Sequence, residues 1–460
     1  MTSTKLESLG ALGVERLECL DPSLSTLLER EIDRQATTLS MVASSSLVDP
    51  SVLACQASAA VNVTAEGYPG ARFHAGCAVI DEIEQLAIDR AKRAFGARYA
   101  NVQPHSASTA NEIVYFSLLQ PGDTILGMQL DSGGHLTHGA RVSISGRHFN
   151  AVGYGLDHRG YIDFEQVRDL ALTHRPKLII CGATAYTRKV DFARFREIAD
   201  EAGALLLADI SHIAGLVVTG LHPSPIDHAH FTTTCTHKQL FGPRGGLIMI
   251  GRDADTLVPR GTRTLAETIQ RGVFPLAQGA PILNAIAAKA RMLAIVQTRE
   301  FAAVAQRIVD DSRALAEQLI RRGYRVLTAG TDNHIVVVDV DAAGVSGLVA
   351  ERALESCGIV VNKNRIPGDQ KPPTVTSGVR LGTNGLAWRG LGPDEMGRCV
   401  ELIHRVVTSV RPHGDREYTI AEAVRESVRT DVAELCAAFP IPGYPLPTYE
   451  RALAPVGGRA

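Results

Sequence analysis

The chain has no closely paired cysteines, no long apolar run and no excess of one charge, and each absence narrows what it can be. Its eight cysteines (Cys19, Cys55, Cys77, Cys181, Cys235, Cys357, Cys399, Cys436) are scattered, without a CxxC spacing. That argues against a disulfide frame or a zinc site and for reduced thiols. A formal net charge of −2 carries no footprint of a nucleic-acid partner. No apolar stretch approaches the roughly twenty residues that cross a bilayer. Lys5, Glu7, Glu15, Arg16 and Glu18 interrupt any signal-peptide core near the start, so a cytoplasmic location without membrane contact is expected. At 460 residues the chain is long enough for two domains and a large core.

Strand-like and helix-like patterns alternate along most of that length. Residues 1–60 read as a polar arm followed by a helix with Leu27, Leu28 and Ile32 at helical spacing. TILGM, LLLAD, HFTTTC and GGLIMIG read as strands, and DFARFREIADEAG as an amphipathic helix between them. The alternation predicts an α/β fold, with a large, mostly parallel sheet domain over 61–292. Two Ala-rich helical patterns around 281–322 lead into a smaller αβ domain over 293–460. The proline-rich end, IPGYPLPTYERALAPVGG, is expected to be loosely ordered.

Two of the buried-strand patterns end in polar residues that suit covalent chemistry. In FTTTCTHKQLFGPRGG, Lys238 follows a β-branched run and precedes Gly242, Pro243, Gly245 and Gly246, which let backbone approach a ligand. Upstream, ALLLA ends in Asp209. A carboxylate at the end of a buried strand needs a positive partner. The protonated pyridine nitrogen of pyridoxal phosphate is one, with Lys238 as the Schiff-base lysine. Taken singly, Asp209 is as well read as a cap or ion-pair member, and Lys238 as a solvated lysine beside a turn.

Around these residues, AEGYPGARFHAGC, ANVQPHSASTAN, GGHLTHG, LLLADISHIAGL, THKQLFGPRGG and VTSGVRLGTN together resemble serine hydroxymethyltransferase, a fold-type I pyridoxal phosphate enzyme, from about residue 22 to about 437. The resemblance implies pyridoxal 5'-phosphate as cofactor and tetrahydrofolate as co-substrate. It implies cofactor contacts from Ser106, Ala107, Ser108, His135, Thr184, Asp209, His212, His237, Lys238 and Ala277. It assigns the amino-acid carboxylate to Arg380, with Ser44 beside it, and proton exchange to Glu66. Phe73, Leu130, Leu136 and Asn364 fall with Glu66 on the folate side. No metal is implied. His138 is read as a structural histidine, and His237 fits either role. The family builds its site between two copies, so at least a homodimer is expected.

Several positions leave the family's pattern. Thr64 and His74 stand at two substrate-side tyrosines, Phe73 at the other tyrosine of a pair and Ala75 at a glycine. Ala107, Leu276, Ala277 and Ala280 replace glycines, Cys235 a threonine, and Ser45 and Ser46 a Glu-Asn pair. Losing the phenol at Thr64 opens volume near the substrate Cα, while His74 can still donate a hydrogen bond. We therefore expect Thr64 and His74 to select an α-methylated substrate: alanine and α-methylserine in place of glycine and serine. The ordinary serine reaction, a folate-independent threonine-type aldolase or transaldolase, and a non-enzymatic binding protein on the same scaffold are the alternatives.

Overall fold

The computed structural model describes residues 4–259 and 261–447. The last part of the proline-rich tail, expected to be loosely ordered, lies outside the described residues.

The first surprise is the start of the chain. Residues read as a polar arm form the helix Lys5–Leu20, directly followed by Pro22–Thr37. Thr4 and Glu7 build a reciprocal capping box at the first helix, and Asp21 caps the second, whose first position is Pro22. Leu6, Leu9, Leu12, Leu27 and Leu28 on these helices are exposed. Their helical spacing is real, but among the described residues these five side chains stay largely uncovered.

The strand patterns assemble as expected. A seven-stranded sheet runs in the spatial order Tyr99–Asn101, Gly246–Ile250, Phe231–Cys235, Leu205–Asp209, Leu178–Cys181, Thr124–Met128, Asn150–Tyr154. The last five of these are mutually parallel, and Gly246–Ile250 is antiparallel to both its neighbours. Parallel strands covered by helices on both faces read as unbroken apolar runs, which is how LIIC and LLLA appear. Leu205–Asp209 and Phe231–Cys235 are neighbours with Asp209 opposite Thr233, so Asp209 and the loop holding Lys238 leave the same sheet edge. Ligands of open α/β sheets bind at such carboxyl ends.

A second, antiparallel sheet orders Arg325–Val326, Ile335–Asp339, Gly378–Gly382 and Asn362–Asn364. Helix Arg299–Arg321 ties the two sheets together. Phe301, Ala305 and Ile308 pack into the core of the large sheet, whereas Leu315, Ala316 and Leu319 pack into the core of the small one. Among the described residues, no helix is long and apolar enough to cross a membrane.

Candidate active site

At the carboxyl edge of the large sheet lies a cavity of about 260 Å³. Its wall includes Ser106, Ser108, His135, Thr184, Asp209, His212, His237 and Lys238, side chains that the sequence reading assigned to the cofactor. Asp209 forms the buried end. Its Oδ2 accepts from Asn111 Nδ2 at 2.9 Å and its Oδ1 from the Ser211 amide at 3.0 Å and the Ser211 hydroxyl. Thr233 Oγ1 donates to Asn111 Oδ1 at 2.6 Å, which fixes the orientation of that amide.

His138, expected to be merely structural, is a direct partner of this carboxylate. The His135 amide donates to His138 Nδ1 at 3.3 Å, so the ring proton resides on Nε2, which donates to Asp209 Oδ2 at 3.2 Å. A short 3₁₀ turn, Leu136–His138, makes both contacts possible, because it folds the second histidine of GGHLTHG back beneath the first. Burial opposes the charge on Asp209, but the His138 hydrogen bond and the neighbouring imidazoles outweigh it and hold the carboxyl far below its usual range. The result is a buried, ionised carboxylate surrounded by amide, hydroxyl and imidazole donors, with no lysine or arginine in the set.

His135 is fixed in its turn. The Thr137 amide donates to its Nδ1 at 3.2 Å, which places the proton on Nε2, and burial lowers its pKa to about 4. A neutral, oriented imidazole on the cavity wall suits stacking on a heteroaromatic ring. His212 is fully buried and also held neutral by burial, and its Nδ1 has no hydrogen-bond partner among the described residues. His237 Nδ1 is likewise unpartnered, and burial lowers its pKa to about 4. Two orphaned imidazole nitrogens beside a buried carboxylate fit a polar heterocycle better than an empty core.

At the far end, Ser106 caps helix Ala107–Leu118 by accepting from the Thr109 amide at 3.0 Å. Ala107 and Ser108 present a helix N-terminus to the cavity, the environment an anionic phosphate prefers. Gly246 explains how close this loop sits, since a Cβ there would fall 2.4 Å from the Ser106 carbonyl oxygen. The donors, the buried carboxylate and Lys238 together fit pyridoxal phosphate.

A wider cavity of about 470 Å³ opens beside the first, and Ser44, Leu130, Leu136, Asn364 and Arg380 line it together with Lys238. Arg380 reaches it from the small sheet. Its Nε donates to Asn362 Oδ1 at 3.0 Å and its Nη1 to the Thr184 carbonyl, which leaves Nη2 for a ligand carboxylate. Burial lowers its pKa to about 10, which leaves it charged at neutral pH. Ser46 donates to the His237 carbonyl at 2.6 Å.

One group of expected site residues does not join Lys238 within a single chain. Thr64, Phe73, His74 and Ala277 are exposed and, with the half-buried Glu66, line neither cavity. They gather instead around the hairpin Gly67–Tyr68 and Ala71–Arg72, where the Phe73 and Phe274 rings lie 5.5 Å apart. Arg72 pins the hairpin by donating to Asp81 at 2.8 Å, to the Gly67 carbonyl at 2.9 Å and to Glu84.

Comparison with known proteins gives the family. The family model for serine hydroxymethyltransferase matches residues 17–403. Serine hydroxymethyltransferases of Xanthomonas campestris pv. campestris, strains B100 and 8004, are each 46% identical over 428 residues, 93% of this chain and 99% of theirs. The chain belongs to the serine hydroxymethyltransferase family, fold-type I enzymes that use pyridoxal phosphate and carry the one-carbon unit on tetrahydrofolate.

Proposed function

We propose that this enzyme acts on α-methylated substrate, converting α-methylserine and tetrahydrofolate to alanine, methylene-tetrahydrofolate and water, and the reverse. The observation that carries the reading is the threonine at position 64, where the family's substrate-side tyrosine would stand, with His74 at a second such position. A threonine there leaves room for one methyl group on Cα that a phenol ring would fill. The lysine, the aspartate, His135, Glu66 and Arg380 are all kept, so the altered wall does not reflect a site falling out of use.

Bound pyridoxal phosphate supplies the electron sink for the bond broken at Cα. In this reading Asp209, held ionised by His138 and Asn111, keeps the ring nitrogen protonated. Lys238, which lines both cavities, would hold the cofactor where the substrate amine can reach it. Arg380 grips the substrate carboxylate through its remaining guanidinium nitrogen, with Ser44 beside it. Glu66 exchanges protons with the hydroxyl of the departing hydroxymethyl group and with the folate. Leu130, Leu136, Phe73 and Asn364 flank the folate. Exposed Thr64, Phe73, His74 and Ala277 and the half-buried Glu66 then serve the cavity of a second copy, which makes the working unit at least a homodimer.

The serine reaction is the second reading, favoured by the names of relatives at 46% identity. Restoring the ring separates the two. Thr64→Tyr is expected to depress α-methylserine turnover more than serine turnover; equal losses count against the volume argument. Omitting tetrahydrofolate addresses the aldolase alternative, because undiminished cleavage of β-hydroxy amino acids without the carrier contradicts folate-dependent transfer.

A further inference from the structure

Lys289 lies on helix Leu283–Ile295, and only 2% of its surface is exposed. A buried ammonium needs compensation, yet among the described residues it forms no ion pair. Instead its Nζ donates to three backbone carbonyls, those of Val102 at 2.6 Å, Pro104 at 3.0 Å and Gly246 at 3.0 Å. An ammonium has three protons, and each meets one acceptor.

The three carbonyls belong to the two segments that frame the phosphate end of the cavity. Val102 and Pro104 lead into Ser106, and Gly246 follows the loop that carries Lys238. Two adjacent glycines make the arrangement possible. A Cβ on Gly245 would lie 2.3 Å from Lys289 Cε, and one on Gly246 would lie 2.4 Å from the Ser106 carbonyl oxygen. The lysine thus occupies the space behind the loop, and the loop occupies the space behind the cavity. Without Lys289, the Val102 and Gly246 carbonyls lose this buried donor, and the Pro104 carbonyl keeps only the Gly246 amide, at 2.9 Å, to tie the stretch before Ser106 to the strand beside it. Glu84, itself held by Arg72 and Gln103, is the carboxylate whose field favours the charge; burial opposes it more strongly and lowers the pKa to about 7.

We propose that Lys289 is a positioning residue for the cofactor phosphate, clamping Val102, Pro104 and Gly246 so that the amides at Ala107 and Ser108 meet the phosphate at a fixed place. The proposal rests on the reading of Ser106–Ser108 as the phosphate loop. It predicts a selective defect. A lysine that merely held the fold together would weaken every ligand of the cavity alike, whereas one acting through the phosphate loop weakens only ligands that carry a phosphate.

The test titrates apo Lys289→Met and the apo parent enzyme with pyridoxal phosphate and with pyridoxal, following the visible absorbance of the lysine-bound aldehyde. Loss of one charge-assisted contact set is expected to raise the Kd for pyridoxal phosphate by about tenfold or more, with less than about a twofold change for pyridoxal. Equal losses for the two ligands, or none for either, overturn the proposal. If the methionine variant does not fold, Lys289→Gln, which keeps two donor protons, is expected to show a smaller but still phosphate-selective loss; parent-like affinity overturns the proposal. Ser106→Ala identifies the level of failure. Should Ser106→Ala weaken pyridoxal phosphate selectively while the Lys289 variants do not, only the role of Lys289 falls. Should Ser106→Ala leave affinity unchanged as well, the phosphate-loop reading falls with it.

Discussion

The Nε2 of His138 lies 3.2 Å from Oδ2 of Asp209, with both side chains buried, and the His135 amide on the other ring nitrogen fixes the direction of that bond. The buried carboxylate proposed to face the cofactor is therefore held by a second histidine, folded beneath the His135 that lines the cavity. His138→Leu removes the donor and leaves Asp209 one partner short. Such a loss costs about 1–3 kcal/mol. We expect a fall in holoenzyme melting temperature and a drop in kcat that exceeds any rise in KM for the amino acid. An unchanged kcat contradicts this role.

Arg380 spends Nε and Nη1 on Asn362 and Thr184, so the grip on a substrate carboxylate proposed for it depends on the planar fork of the guanidinium. Arg380→Lys keeps the charge but cannot satisfy both protein acceptors and the ligand. KM for the amino acid is expected to rise by about tenfold or more, equivalent to roughly 1.4 kcal/mol, with cofactor binding unaffected. Steady-state kinetics beside a cofactor titration check both parts.

Gly246 tolerates no side chain, because a Cβ would meet the Ser106 carbonyl at 2.4 Å and its carbon at 2.7 Å. Overpacking of this kind typically costs about 1–3 kcal/mol. Since the collision falls on the capping serine of the proposed phosphate loop, Gly246→Ala is expected to lose affinity for pyridoxal phosphate beyond its loss of melting temperature. Equilibrium dialysis of the cofactor reads the first and thermal melts the second.

Asp311 offers a pH signature away from the site. It is fully buried in the middle of helix Arg299–Arg321, neither carboxyl oxygen has a partner among the described residues, and burial raises its pKa to about 8. Asp310 and Glu395 push in the same direction and Arg307 opposes them. An unfolded aspartate titrates near pH ~4. Between those values the native state keeps a proton that the unfolded chain has released, so this contribution to stability is complete below about pH 4 and is lost as pH rises towards 8. Asp311→Asn removes that slope. Melting temperatures of variant and parent should therefore diverge in the variant's favour from about pH 5 to about pH 8, and parallel curves refute the assignment.

How much of this was legible beforehand differs from residue to residue, for physical reasons. Asp209 and Lys238 stand out because a polar group ending a buried apolar strand has a desolvation cost that only function or a partner offsets. The strands themselves are legible because burial on both faces writes unbroken apolar runs. His138 was missed, since its role depends on a 3₁₀ turn that brings it under His135, and nothing in GGHLTHG distinguishes a histidine turned towards a carboxylate from one turned into the core. Lys289 has a sequence signal of its own, a lysine in the largely apolar run NAIAAKARMLAI, where a charge has to find partners. The opening helix was read as an arm because its charges dominate, while its start depends on the local Thr4 and Glu7 exchange. The separation of Thr64 and His74 from Lys238 within one chain has no local signature at all.

The choice of substrate is the centre of the account, and one comparison reaches it directly. The pyridoxal phosphate-loaded enzyme is given tetrahydrofolate and either α-methylserine or serine, and kcat/KM is measured for each. A clear preference for α-methylserine is expected, with alanine as the amino-acid product. A clear preference for serine contradicts it and returns the enzyme to the serine and glycine reaction.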